Sequence, residues 1–397
     1  MTNEEIASDD GACPLRLSPR QWLVVLALVA VFFVGASPGW KRRERFDHND
    51  DYRVPYELSN DYWLYERHLQ QSRDDASNPI FVVGDSVMWG EYVRADGTLS
   101  HFLNEQHQDD NELNEGDSAH YINAGINGQF PLALEGLVRY HADPIRNQKV
   151  LLHCNLLWMS SPEADLSGEK EQTFNHAALV PQFRPRLACY RASREQRLGY
   201  MVRRRFEVLG WVTHLQNAYF DQQSVPKWTL AESSEQPGTY PNAYRNPLSQ
   251  ITGVVSGEPS DDPQRGRSSE RHRDWRAAGM QPQIFDWVAP VASQQWAAFQ
   301  RLVQLLSSRG NDVLVVIGPF NETMLATSSR DGFQEWQTAV SDWLQTVNVP
   351  CAVPKPLAAE LYGDASHPLT DGYREMAKSL QNEVSFQRWL TSSQPDE

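Results

Sequence analysis

Cysteine is scarce in this chain: four residues in 397, Cys13, Cys154, Cys189 and Cys351, none in a Cys-x-x-Cys spacing. That scarcity indicates neither a disulfide framework nor a zinc knuckle, and it leaves open only a single Cys189 to Cys351 bridge. Basic charge is also in deficit, with 36 Lys and Arg against 51 Asp and Glu, a formal charge of −15. So acidic a balance argues against a nucleic-acid surface, and no nucleic-acid partner is expected. No zinc pattern appears, no metal or cofactor is called for, and no internal repeat is evident. With 40% hydrophobic and 11% aromatic residues, the chain can bury one large core and at most a second small one.

Long apolar runs are nearly absent too, which makes the one that exists conspicuous. Residues 22–36 read Trp-Leu-Val-Val-Leu-Ala-Leu-Val-Ala-Val-Phe-Phe-Val-Gly-Ala, and no charge falls between Arg20 and Lys41. With Gln21 and the flank at 37–40 the run reaches the roughly 20 residues that a bilayer needs. A cleaved signal peptide competes, because Val34 and Ala36 are small enough for a cleavage site, but the leader is long and acidic (Glu4, Glu5, Asp9, Asp10). An uncleaved single-pass anchor is therefore expected over residues 21–40, after a tail at 1–20 and before a linker at 41–78 that contains a helix. Arg16 and Arg20 precede the run, while Lys41, Arg42, Arg43 and Arg45 follow it, so the charge count alone places the remaining chain in the cytoplasm.

From residue 79 strands and helices alternate. Residues 80–83, Ile-Phe-Val-Val, are continuously apolar, as in a buried parallel strand. Further strands are expected near 121–124, at 149–154, at 313–317 and near 351–353. Helices are expected around Leu99 to Leu103, from Pro131 through Leu137, over Trp296 to Leu306, over Phe333 to Val347, and through Met376 and Leu380. An acidic loop covers 105–117. This alternation predicts an α/β fold, a doubly wound sheet of about five parallel strands with helices on both faces. The domain spans 79–390 with an insertion at about 160–290. In that insertion Arg184, Arg186, Arg191, Arg194, Arg197, Arg203, Arg204 and Arg205 interleave with Leu198, Met201, Val202, Phe206 and Leu209. An amphipathic helix is expected there, its arginines forming a solvated face, with an anionic polymer or headgroup contact as the alternative. A mobile loop is expected over 256–273.

Three strand ends carry polar residues suited to chemistry. The first strand runs into Gly84, Asp85 and Ser86, the second into Gly125, Ile126, Asn127 and Gly128, and the third into Asn155. Near the end come Asp364 and His367, three residues apart in one loop. That spacing lets a carboxylate accept the imidazole Nδ1 proton, leaving Nε2 to take a proton from a serine hydroxyl. Open α/β sheets place their ligands at the carboxyl ends of the strands.

These blocks resemble those of the SGNH, or GDSL-type, hydrolase superfamily: Gly84-Asp85-Ser86, then residues 123–128, then Asn155, then Asp364 to His367 followed by Pro368. The resemblance covers about 79–158 and 290–390. It implies a flavodoxin-like sheet, Ser86 as nucleophile, His367 as general base and then acid, and Asp364 as its orienting partner. The N–H groups of Ser86 and Gly128 and the amide of Asn155 would form an oxyanion hole, with Gly125 the alternative to Gly128. The third block, His153-Cys154-Asn155-Leu156, departs from the usual Gly-x-Asn-Asp.

The reaction implied is ester hydrolysis through an acyl-serine, with O-acetylated envelope polysaccharide as the expected substrate class and an extracytoplasmic domain, against the arginine count. An O-acyltransferase with the same triad and a non-catalytic binding scaffold are the alternatives. Trp211, Trp228, Trp275 and Trp287 are candidates for stacking on sugar rings, although such residues more often serve core or rim packing.

Overall fold

The computed structural model describes residues 17–44, 46–47, 49–110, 119–220, 223, 255–256 and 274–392. Cys13, Trp228, the acidic loop beyond Asp110 and nearly all of the loop expected at 256–273 lie outside the described residues.

Two compact units divide the chain, Met1–Arg43 and Glu44–Glu397. The first contains α1 (Pro19–Lys41). Ser18 starts it with a capping box, its hydroxyl accepting from Gln21 N–H while the Gln21 side chain accepts from Ser18 N–H. The 23 residues rise about 35 Å at 1.5 Å each, enough for a hydrocarbon core of about 30 Å. Among the described residues this is the one helix long and apolar enough to cross a membrane.

The second unit is built on five parallel strands: β1 (Pro79–Val83), β2 (His120–Asn123), β3 (Lys149–Cys154), β4 (Asp312–Ile317) and β5 (Cys351–Ala352), in the order β2-β1-β3-β4-β5. Parallel strands need crossovers, and the connections supply them: α2 (Tyr62–Asp75) precedes β1, then come α3 (Ser86–Trp89), α4 (Leu99–Asp110) and α5 (Pro131–His141). The insertion holds α6 (Arg194–Arg205) and α7 (Glu207–Tyr219). The chain then returns through α8 (Gln294–Ser308), α9 (Arg330–Thr346), α10 (Thr370–Gln381) and α11 (Val384–Thr391).

Both sheet faces are covered, which is why β1, the middle of β3 and β4 after Asp312 read as apolar runs. Ile80, Val82, Leu151, Leu314 and Val316 share one core cluster with Leu99, Phe102 and Leu103 of α4, Tyr373, Met376 and Leu380 of α10, and Phe386 and Trp389 of α11. Alternate strand residues, Phe81, Val83, Val150 and Leu152, point the other way and are equally buried, while α5 and α8 pack on each other and α8 packs on β4. The doubly wound α/β fold expected from the alternation is the fold observed.

Three details depart from the expectations. Helix α4 runs to Asp110, six residues into the expected loop. Cys189 and Cys351 are both free thiols, so the bridge left open by the spacing is not formed. The arginine helix breaks at Phe206, and its arginines are not all solvated. Arg197 donates to the Tyr190 and Gln182 carbonyls and Arg204 to those of Ala178 and Val180, so these two guanidinium groups satisfy the backbone of a packed loop instead of water.

Candidate active site

From β1 the chain moves to β2 on one side and then to β3 on the other side of β1, so the switch point lies between β1 and β3. Ser86 follows β1 and Asn155 follows β3, which places both at that crevice. Gly84 makes the turn possible: a Cβ there would lie 2.5 Å from Met88 Cγ and 2.8 Å from His153 Cβ. Ser86 is half-buried, at the start of α3.

The loop with Asp364 and His367 comes back over the same rim. An antiparallel bridge between Tyr362 and Pro368 closes it, and Gly363 N–H donates to the His367 carbonyl at 2.9 Å. Asn321, beyond the end of β4, pins it: its N–H donates to Ala365 O at 2.9 Å and its amide to Asp364 O at 3.3 Å. Asn321 begins the Asn-Glu-Thr glycosylation sequon, and it is buried in this role.

Ser86 Oγ thereby lies 2.8 Å from His367 Nε2, and His367 Nδ1 lies 2.8 and 2.9 Å from the two Asp364 oxygens. Asp364 also accepts from the N–H groups of Ser366 and His367 and from the Tyr92 hydroxyl at 3.2 Å. Burial would raise the Asp364 carboxyl, but the facing imidazolium and these donors outweigh it and bring it to about 2. Burial likewise opposes charge on His367, yet the Asp364 carboxylate, with Glu91 and Asp85 behind it, holds the ring up at about 9.

Asp85 does not face this chain of hydrogen bonds; it belongs to a buried set behind it. One oxygen accepts from Val87 N–H at 2.9 Å and lies 2.9 Å from His153 Nδ1; the other accepts from Asn155 Nδ2 and Trp158 Nε1, both at 3.1 Å. Burial opposes ionisation, but the His153 ring and its hydrogen bond, then His367 and the Val87 N–H, keep this carboxyl below its ordinary range. The departure of the third block from the usual pattern thus has a physical reason: His153, standing where that pattern has glycine, is the partner of Asp85.

Of the three expected oxyanion donors, two are uncommitted. Among the described residues neither Ser86 N–H nor Gly128 N–H donates to another group. Gly125 N–H is bound to Asn123 Oδ1 at 3.1 Å, and a Cβ on Gly125 would meet Trp89 N at 2.5 Å, so Gly125 is a packing residue. Asn155 has given one amide N–H to Asp85 and keeps one. Gly128 has φ +73°, and a Cβ there would meet Asn175 Nδ2 at 2.7 Å. Gly128→Ala is therefore expected to lose about 1–2 kcal/mol of stability from the left-handed backbone alone, checked by denaturant titration.

Residues absent from the sequence reading complete the rim. Glu91 Oε2 lies 3.4 Å from His367 Nε2, on the side that Ser86 shares. Tyr92, with φ +68°, sets its ring edge-on to His367 at 5.5 Å. Arg53 is buried beneath them, donating to the carbonyls of Trp89, Gly90 and Val93 and lying 4.0 Å from the Trp89 ring centroid. No spacing signal could have found Arg53, since it sits in a polar, aromatic stretch 36 residues before its first acceptor. Glu91 and Tyr92 lay within reach, being five and six residues after the serine.

The described tryptophan candidates follow the packing reading and not the sugar-stacking one. Trp211 and Trp275 are buried, and Trp287 is half-buried with its indole N–H donating to Ser329 O at 2.9 Å, so these three pack the protein. Cavities of about 220 and 420 Å³ lie against α5 and α6 and are not lined by Ser86, Asp364 or His367. Among the described residues no group of three or more His, Cys, Asp or Glu could hold a metal ion. No protein-family model matches the chain, and no curated protein matches it.

Proposed function

We propose that the protein is a membrane-tethered serine ester hydrolase that works through an acyl-serine, and the observation that carries the reading is the continuous line Ser86 Oγ, His367 Nε2, His367 Nδ1, Asp364. Asp364 accepts a hydrogen bond from Nδ1–H and fixes the tautomer, so that Nε2 can accept the Ser86 proton as Oγ attacks an acyl carbonyl. The developing oxyanion is met by the N–H groups of Ser86 and Gly128 and by the remaining amide N–H of Asn155, each removal costing on the order of a hundredfold or more in rate. His367 then returns the proton to the leaving alcohol, and water activated by the same nitrogen releases the acid.

The SGNH-like blocks favour O-acyl esters of envelope carbohydrate as the substrate class, with α1 as anchor and the catalytic domain outside the cytoplasmic membrane. A sugar hydroxyl in place of water would make the same site an O-acyltransferase. Turnover of p-nitrophenyl acetate by the full chain in detergent, with and without an oligosaccharide acceptor, tests the reading. Acid release is expected without acceptor, and absence of any turnover would remove the hydrolase.

The base must be neutral to act, and the carboxylate raises the pH at which it becomes so. The rate is therefore expected to climb from pH 6 toward 9 as imidazolium is lost. Asp364→Asn removes the charge that raises His367, so its acid limb should move to lower pH while kcat falls on the order of 10⁴-fold. An unmoved limb in Asp364→Asn would contradict the pairing.

A further inference from the structure

Helix α6 is turned inside out relative to the usual surface helix. None of its residues is buried, its Arg197 and Arg204 face inward to carbonyls, and those two guanidinium groups lie 4.5 Å and 4.7 Å from the Tyr190 and Tyr140 rings. What faces out is apolar: Leu198 is 53% exposed, Met201 46%, Val202 46% and the following Phe206 50%. Single exposed apolar residues are ordinary, but these fall at i, i+3, i+4 and i+8, one stripe along the helix. Arg194 and Arg205, four before and seven after Leu198, bracket the stripe on its own face, and both are exposed.

We propose that this stripe lies in the surface of an anionic bilayer, as a second membrane contact of the domain. It rests on the reading of α1 as a membrane anchor. Two observations choose lipid over other partners. The first is charge: residues 184–205 hold eight arginines and one glutamate in a chain of net charge −15, and six of those arginines, Arg184, Arg186, Arg191, Arg194, Arg203 and Arg205, are exposed. Apolar side chains ringed by arginines that can reach headgroups are the signature of an interfacial helix.

The second is chain length. Glu44, three residues beyond the end of α1, is held by the helix that follows α6: its carboxylate lies 2.6 Å from His214 Nε2 and accepts from Tyr219 OH at 2.6 Å, while Arg67 of α2 pairs with it. Each residue of chain spans at most about 3.5 Å, so no more than about 10 Å of chain joins Lys41 of α1 to Glu44, the residue that α7 holds.

The test uses the full chain in nanodiscs, with Cys13→Ser and Cys351→Ser to limit labelling, and an environment-sensitive fluorophore at Met201→Cys or, as control, at Glu375→Cys on α10. Doxyl-labelled phosphatidylglycerol is expected to quench the label at 201 severalfold more than the label at 375. Arg194→Glu with Arg205→Glu should reduce that difference without unfolding the protein, since both side chains are exposed. Equal quenching at the two positions would overturn the proposal, as would emission at 201 that shifts with protein concentration and not with doxyl lipid, which would mark a second copy as the occupant. Alkaline carbonate extraction of the unlabelled chain separates the two readings: a chain that is released has lost both anchor and lipid face, whereas a retained chain with an unquenched label has lost only the face.

Discussion

Full-length Ser86→Ala is expected to hydrolyse p-nitrophenyl acetate about 10⁴- to 10⁶-fold more slowly than the unsubstituted protein while melting at the same temperature. The argument is geometric. Removing Oγ deletes the one atom that His367 Nε2 contacts at 2.8 Å, and the other groups that arrange the site, Asp364, Tyr92 and Asn321, do not depend on it. Residues that act as one chain fail together, so His367→Ala should cost about as much, and the double substitution little more than either alone. Additive losses would mean that the two residues serve separate functions. Retention of activity in both would favour a binding scaffold over an enzyme.

Asp85→Asn is expected to be the most destabilising conservative change in the domain, by about 3–5 kcal/mol, the usual cost of leaving a buried charge network with one partner gone. Four donors converge on the two Asp85 oxygens, and both are buried. An asparagine that turns its NH₂ toward Asn155 Nδ2 and Trp158 Nε1 meets only donors, and one that turns it the other way meets the Val87 N–H and is accommodated only if His153 changes tautomer. The residue also holds Asn155, so the proposed oxyanion donor should be displaced and kcat should fall along with stability. Chemical denaturation with parallel kinetics checks it; a change below about 1 kcal/mol would show that the carboxylate is not the centre of this network.

How much of this was legible depended on whether the determinant was local. The strand 149–154 was read to the residue, and 80–83 and 313–317 to within one, because burial on both faces leaves an apolar run that needs no partner to be recognised. Ser86, Asp364 and His367 were legible as candidates because each follows a strand or shares a short loop. Their meeting across 281 residues follows from the parallel topology. What escaped was decided by distant partners. Asp85 and His153 are 68 residues apart, and nothing in either segment says that they bond. The arginines of α6 were assigned to solvent by periodicity alone, which identifies two faces without saying which one the rest of the protein covers. In this case carbonyls of the loop at 178–190 recruited Arg197 and Arg204, and the apolar stripe was left outside.

The most direct measurement is intact-protein and peptide mass spectrometry of the full chain after reaction with a fluorophosphonate, run beside His367→Ala and Ser86→Ala. The account predicts one adduct per chain, on the peptide carrying Ser86, with labelling sharply slowed in His367→Ala and absent in Ser86→Ala. An unlabelled native protein, or an adduct on another residue that survives Ser86→Ala, would contradict Ser86 as the nucleophile.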